Sequence, residues 1–391
     1  MIDEINVIEL LKELIRIRSD NPGNYEEEIA NYISGILEDN KIDYEIIYSA
    51  KKRANIIGYL NRKDEYDEHK LILCGHLDTK PPGKYWVIDP FKPVIKEDKI
   101  YGLGASDMKA GIAAMLTAII ENAKKGVKRN VEFLFVADEE MNSFYGLKYL
   151  VKHRYVNGGS LAIIGEPSNL KLATASLGNL WITIKIKGKK AHTGMYWKGI
   201  NAIDVMIEII NQIKNIINDY KYKEPIELTN FPNLNVGIIR GGTHPGSVPG
   251  YCEVTIDIRF KDESERDFYN KQLHDVINVI STKYGCKYKI EQFGGGGLPA
   301  WSLDLFKNEK EIHRCLAIIE QSYAYVTGQA LERCIFLGGS DAGIFVHELN
   351  TPAVIIGPGS LEQAHRPNEW VYIKEVIRAA KLYEEIIRRW I

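Results

Sequence analysis

The spacing of apolar residues changes several times along this chain, and each change marks a new element. Residues 7–17 and 24–37 place apolar side chains every three to four positions, the period of helices with one buried face. Residues 43–49 and 55–60 read as strands. Apolar runs at 71–77, 131–137 and 161–165 are short and bounded by polar residues, which predicts strands covered on both faces. The longer apolar stretch 109–125 between two of them reads as a helix. Strands and helices in this succession predict an α/β fold, a mostly parallel mixed sheet flanked by helices. Sites in such sheets form at the carboxyl ends of the strands.

Beyond residue 166 the pattern is different. Residues 180–187 alternate as a strand, 199–217 form an amphipathic helix, 234–240 and 251–260 two strands, 264–284 a helix and 286–293 a last strand. That is the order of a ferredoxin-like α+β unit. Residues 309–327 then return to helical period, 340–346 open another helix, and 352–357 read as a buried strand. The expected organisation is a discontinuous catalytic domain, 1–177 with 296–391, and an inserted lid and dimerisation domain, 178–295. Glycines 294–297 read as a hinge, since no Lys-Ser/Thr follows to make them a phosphate cradle.

The buried runs end in charged residues. His76 and Asp78 follow one strand, Asp138-Glu139-Glu140 another and Glu166 a third, while Asp107 directly precedes the 109–125 helix. A buried strand should not finish in ionised carboxylates unless a cation or a partner receives them. His76 and Asp78 lie two apart, on one face of a strand, so the Asp78 carboxylate is expected to accept a hydrogen bond from the His76 ring. Singly, a His-x-Asp pair, two adjacent glutamates or a Gly-Glu-Pro turn are common on protein surfaces. Four such segments in one chain predict a metal centre.

In order, His76-x-Asp78, Gly104-x-x-Asp107-Met108-Lys109-x-Gly111, Asp138-Glu139-Glu140, Gly165-Glu166-Pro167 and Ala364-His365 resemble the motifs of a co-catalytic metallohydrolase family. This zinc-dependent aminoacylase and carboxypeptidase family includes the acetylornithine deacetylase and succinyl-diaminopimelate desuccinylase group, and the similarity runs from about residue 10 to the C-terminus. The resemblance implies two divalent ions, zinc by preference with cobalt or manganese tolerated, bridged by Asp107. His76 and Glu166 would complete one set of ligands, Glu140 and His365 the other, with Glu139 as general base. It also implies that His192 donates to the oxyanion from the partner subunit of a homodimer, and that the Asp107-Met108 peptide is cis. Arg259 is the candidate for a substrate carboxylate, and Gly339 and Ser340, in Gly338-Gly339-Ser340-Asp341, resemble a helix entry that binds an anion; Asp341 is equally a candidate cap. Where relatives carry an asparagine in the lid loop, this chain has Thr243 to Pro249, so Ser247 or His244 would replace it.

Composition narrows the alternatives. Lys+Arg 50 against Asp+Glu 52 over 391 residues leaves a net charge of -2, which gives no reason to expect nucleic acid or an anionic membrane as partner. Five scattered cysteines without C-x-x-C spacing fit unpaired thiols in a reducing compartment rather than a disulfide framework. With no basic leader and no apolar stretch of about 18 residues, the expected location is the cytoplasm. The expected activity is hydrolysis of the amide bond of an N-acyl amino acid. A dipeptidase or carboxypeptidase with the same site is the alternative, and a non-catalytic binding relative is the alternative of another class.

Overall fold

The computed structural model describes residues 4–61, 69–221, 233–307 and 309–391. The chain divides into two compact units, residues 1–176 with 301–391, and residues 177–300. In the larger unit the buried runs become strands Leu71–His76, Val131–Val136 and Leu161–Ile164, every residue of them buried. They pair in parallel, with Leu71–His76 between the other two, and Ala353–Ile355 adds in parallel beyond Leu161–Ile164. Side chains covered above and below the sheet explain why these segments lack alternation. Antiparallel strands flank this parallel core: Arg53–Tyr59 and Asp43–Ala50 on one side, Leu172–Ser176 on the other. Among the described residues the sheet has nine strands, so α/β with a mostly parallel core holds.

Helix Lys109–Lys124 is buried nearly all round because it lies between the sheet and helix Ile373–Arg389. The latter buries Val376, Ala379, Ala380, Tyr383, Ile386 and Ile387, a stripe at helical spacing. Gly111 is required at one contact: a Cβ there would stand 2.2 Å from the Gly165 carbonyl oxygen. The helix that follows Asp107 therefore sits directly against the strand end that precedes Glu166. Short segments escaped the sequence pattern, among them a separate three-stranded sheet of Val94–Lys96, Lys99–Tyr101 and Trp370–Tyr372. Three residues are too few to show a period.

The smaller unit has strands Gly178–Lys187, Asn233–Gly241, Tyr251–Phe260 and Lys287–Gln292 with helices Ala202–Lys221 and Glu263–Tyr284, the βαββαβ order. All its strand pairs are antiparallel, and Gly178–Lys187 lies between Tyr251–Phe260 and Lys287–Gln292. Inward residues alternate along Tyr251–Phe260 and, from Leu180 onward, along Gly178–Lys187, and pack with Val205, Ile209, Leu273 and Ile277 of the helices. The helix Glu263–Tyr284 starts where Asp262 accepts the Glu265 N–H at 2.8 Å, and stops at Gly285 in the left-handed region. Glycines 294–297 fall inside this unit, short of the 300/301 crossing. Their φ values are all positive, and the Leu298 N–H donates to Asn179 Oδ1 at 2.9 Å. Among the described residues, no helix is long and apolar enough to cross a membrane.

Candidate metal centre

Three strands and two loops of the larger unit deliver the candidate side chains. His76 is the last residue of its strand, Glu166 follows its strand by two residues, and Glu139 and Glu140 occupy a 3₁₀ turn, Glu139–Met141, just beyond theirs. Asp107 and His365 depart from the strand-end rule. Asp107 is carried by the loop that enters helix Lys109–Lys124, and His365 by a turn in which it takes a φ of 60°. The Asp107–Met108 peptide is cis, the geometry the resemblance implies.

The five candidate ligands form two groups that share one carboxylate. His76, Asp107 and Glu166 bring ligand atoms within 4.8 Å of one another, and Asp107, Glu140 and His365 do the same. Asp107 faces each group with a different oxygen. Its Oδ1 lies 3.1 Å from His76 Nε2, and its Oδ2 lies 3.6 Å from His365 Nε2. Glu166 Oε1 is 3.6 Å from His76 Nε2, and Glu140 Oε2 is 3.0 Å from His365 Nε2. Glu139 belongs to neither group; its Oε2 stands 3.8 Å from His76 Nε2.

Electrostatics separates the two adjacent glutamates. Burial pushes Glu139 well above the usual carboxylate range, with Glu140 and Asp341 adding repulsion against the pull of His76. Burial acts on Glu140 too, but the cations His365 and Lys80 outweigh it and hold its carboxyl well below. Glu166 is raised by burial and by Asp107. Neighbouring Glu140 raises His365 to about 9. Four carboxylates with little access to solvent thus crowd around two imidazoles and one lysine. Histidine and carboxylate oxygen donors without thiolate suit divalent cations, and a cation between them would relieve the repulsion.

Asp78 holds His76 differently from the expectation. The His76 Nδ1–H donates to the Asp78 backbone carbonyl at 2.9 Å, while the nearest Asp78 carboxylate oxygen is at 3.6 Å, too far for a hydrogen bond. That carboxylate instead accepts the Glu139 N–H at 3.1 Å and the Asn21 side-chain amide at 2.8 Å. The two glutamates also point apart for a reason other than strand alternation, since a 3₁₀ turn entered through Asp138 at φ 66° carries them.

Several supporting residues gave no sequence signal. Glu369 accepts the N–H groups of Gly104, Ser106 and Asp107 at 2.7–2.9 Å, and so fixes the loop that presents Asp107. Its burial pushes it up to about 8. Lys109, expected only as part of a motif, is buried and donates to the Leu14 and Ile17 carbonyls at 2.9 and 2.7 Å, around the end of helix Glu4–Arg16. Lys80 pairs with Glu140 Oε2 at 3.1 Å. These partners are backbone groups or distant in sequence, so no local spacing announces them.

The remaining candidates make other contacts, each within its own unit. In the larger unit, Ser340 is fully buried, its hydroxyl has no hydrogen-bond partner among the described residues, and Gly339 is half-buried. The helix after them, Ala342–Glu348, is only seven residues long, and Asp341 does not cap it; its carboxylate accepts the Ser143 hydroxyl instead. In the smaller unit, His192 is exposed and its Nδ1 accepts the Gly194 N–H at 3.1 Å, so the neutral ring carries its proton on Nε2. His192 pairs with Ser247, which lies within the Thr243 to Pro249 loop. His244 Nδ1 accepts the Gly246 N–H at 3.0 Å, and this segment borders an open cleft of about 880 Å³. Arg259 donates to Asp257 at 2.8 Å, a contact a substrate carboxylate would have to replace.

Comparison with known proteins matches residues 72–389 to the model of peptidase family M20/M25/M40. Acetylornithine deacetylase of Pasteurella multocida is 30% identical, over 82% of this chain and 80% of that one. A tripeptidase from Staphylococcus aureus superposes with a TM-score of 0.79 at 23% identity, covering 99% of this chain and 98% of that chain. A dinuclear metal-binding peptidase of Bacillus subtilis superposes with a TM-score of 0.65 at 17% identity over 98% and 97% of the two chains.

Proposed function

The chain belongs to peptidase family M20/M25/M40, enzymes that hydrolyse amide bonds, and from that membership and the cluster's geometry we propose a two-metal hydrolase that removes the acyl group of an N-acyl amino acid. The observation that carries the reading is the Asp107 carboxylate, which turns Oδ1 to one donor set and Oδ2 to the other, with Glu139 outside both. Asp107 would be shared by the two ions, with His76 and Glu166 holding one and Glu140 and His365 the other. Zinc suits these donors best. When bound, a pair of divalent ions supplies Lewis acidity and lowers the pKa of water.

The protein's own groups do the rest. Glu139, which stands outside both donor sets with its Oε2 3.8 Å from His76 Nε2, takes the proton of the attacking water and passes it to the departing amine, which leaves poorly unless protonated. The Asp78 carbonyl keeps the His76 ring turned with Nε2 toward Asp107. His192 offers an Nε2–H to the oxygen that gains charge as the carbonyl is attacked, acting across a homodimer formed by the smaller unit. Arg259 receives the substrate carboxylate once Asp257 releases it. Gly339 and Ser340 contribute backbone rather than the buried hydroxyl.

Similarity to acetylornithine deacetylase supports an N-acyl amino acid as the substrate class. The test is relative kcat/KM of zinc-reconstituted protein on N-acetyl-L-ornithine, N-succinyl-L,L-diaminopimelate, and alanyl di- and tripeptides. N-acyl amino acids should be hydrolysed fastest. Faster cleavage of the peptides would replace the deacylase reading with a peptidase one, and turnover of none would remove both.

A further inference from the structure

Arg53, the first residue of strand Arg53–Tyr59, is charged yet only 6% exposed, and nothing in the reaction above uses it. It donates to Asp138 Oδ1 at 2.5 Å and to Asn21 Oδ1 at 3.2 Å, and its Nε lies 3.0 Å from Glu26. Its guanidinium carbon sits 4.6 Å from the centre of the Tyr25 ring and 5.2 Å from that of Tyr145. A planar cation with this many fixed partners has one orientation.

Because Asn21 Oδ1 accepts from Arg53, its amide nitrogen is turned the other way. That nitrogen donates to Asp78 Oδ2 at 2.8 Å and to Asp138 Oδ1 at 2.9 Å. Asp78 then reaches both sides of the site, its carbonyl accepting from the His76 ring and its Oδ1 accepting the Glu139 N–H. Asp138 opens the turn that bears Glu139 and Glu140, and its Oδ2 accepts the Tyr145 N–H at 3.0 Å. The bonds that join Arg53, Asn21, Asp78 and the His76 ring are direct and buried, and those to the Glu139 and Tyr145 N–H groups are partly buried.

We propose that Arg53 is a positioning residue for the metal centre, acting through Asn21 and Asp78 to fix the His76 ring and the backbone of Glu139. It touches neither substrate nor metal. The inference rests on the two-metal reading of the cluster, but its test needs no turnover. Groups that orient a metal-bound histidine change metal affinity by about 10–100-fold when removed.

The experiment compares the full-length wild type, Arg53→Lys and Asn21→Ala, each stripped of metal and titrated with Co²⁺, reading affinity by calorimetry and ligand geometry by visible absorption. Folded fraction is measured by circular dichroism, and affinities refer to folded protein. Arg53→Lys keeps the charge and loses the fork; Asn21→Ala keeps Arg53 on Asp138 and cuts the link to Asp78. Both should weaken the Co²⁺ site containing His76 by about 10–100-fold and shift its absorption bands. Wild-type affinity and spectrum in folded Asn21→Ala would overturn the proposal, because the route through Asn21 would then carry nothing. Should Arg53→Lys not fold, Asn21→Ala alone decides. A wild type that binds two Co²⁺ yet hydrolyses no amide would count against the proposed function and leave this inference standing.

Discussion

His76 and Glu166 are nearly sealed from solvent, 1% and 3% exposed, whereas His365, in the opposite donor set, leaves half of its side chain exposed. The sealed set stands on two neighbouring parallel strands whose every residue is buried, so the core fixes where its ligands can be. The open set stands on a 3₁₀ turn and on a loop residue at φ 60°, and depends on local contacts: Glu140 on His365 and Lys80, the turn on Asp138 and Asp341. Sheet ends place the backbone of a ligand directly, and its ring is then turned by a neighbour, as Asp78 turns His76. Loops need partners, and the partners come from elsewhere in the chain.

The largest expected effect isolates Glu139, which lies beside the sealed set without joining it. Glu139→Gln keeps the shape and removes the proton acceptor, so kcat should fall by about 10²–10⁴-fold. Bound zinc, measured by atomic absorption, should stay at the wild-type level. A parallel loss of metal would make Glu139 a ligand and erase the division between the adjacent glutamates.

Sealed and open sets were not equally legible in the sequence. The strand-end residues His76, Glu139 and Glu166 could be placed because an uninterrupted apolar run that stops at a charge is a local pattern. Asp107 was legible as a carboxylate at a helix entry, but its bridging role, like the whole of His365, entered only through the family resemblance, as nothing in their own neighbourhood says that residues so far apart in the chain meet. Among the described residues, the four long strands and two long helices of the smaller unit were legible, since alternation in Gly178–Lys187 and Tyr251–Phe260 reflects one covered face. The three-residue strands and the supports Glu369, Lys80, Asn21 and Arg53 were not. Their meaning lies in partners remote in sequence: Glu369 with the 104–107 loop, Arg53 with Asp138. The Asp78 contact was misread for a related reason, because residue spacing places side chains and says nothing of a backbone carbonyl.

An intermediate effect tests the difference in access directly. Removal of zinc by a chelator should proceed in two phases, the faster from the set containing His365, with rates separated by about tenfold or more because the surrounding shell controls access to each ion. His365→Ala should abolish the fast phase and leave the slow one, as followed with a colorimetric zinc dye. A single phase, or a slow phase lost in His365→Ala, would mean that burial does not distinguish the two sets.

The smallest effect concerns the buried charges behind the sealed set. Glu26 is wholly buried, and burial first, then the nearby Asp78, raises it from the usual 4.5 to about 9 against the pull of Arg53. The folded protein therefore holds this proton over a range where the unfolded chain has lost it. Stability from that difference is complete below about pH 4.5, declines as pH rises through the window, and is gone above about 9. Glu26→Gln substitutes a neutral group of the same shape and has no proton to lose. Between pH 6 and pH 9 the wild type should lose more stability than the variant, by up to about 1.4 kcal/mol per pH unit, a gap of several degrees in thermal midpoint. Scanning calorimetry of both proteins at the two pH values measures it. Parallel behaviour would mean that Glu26 is already ionised against Arg53 at pH 6, so that two full charges, rather than a protonated acid beside a cation, lie behind the sealed set.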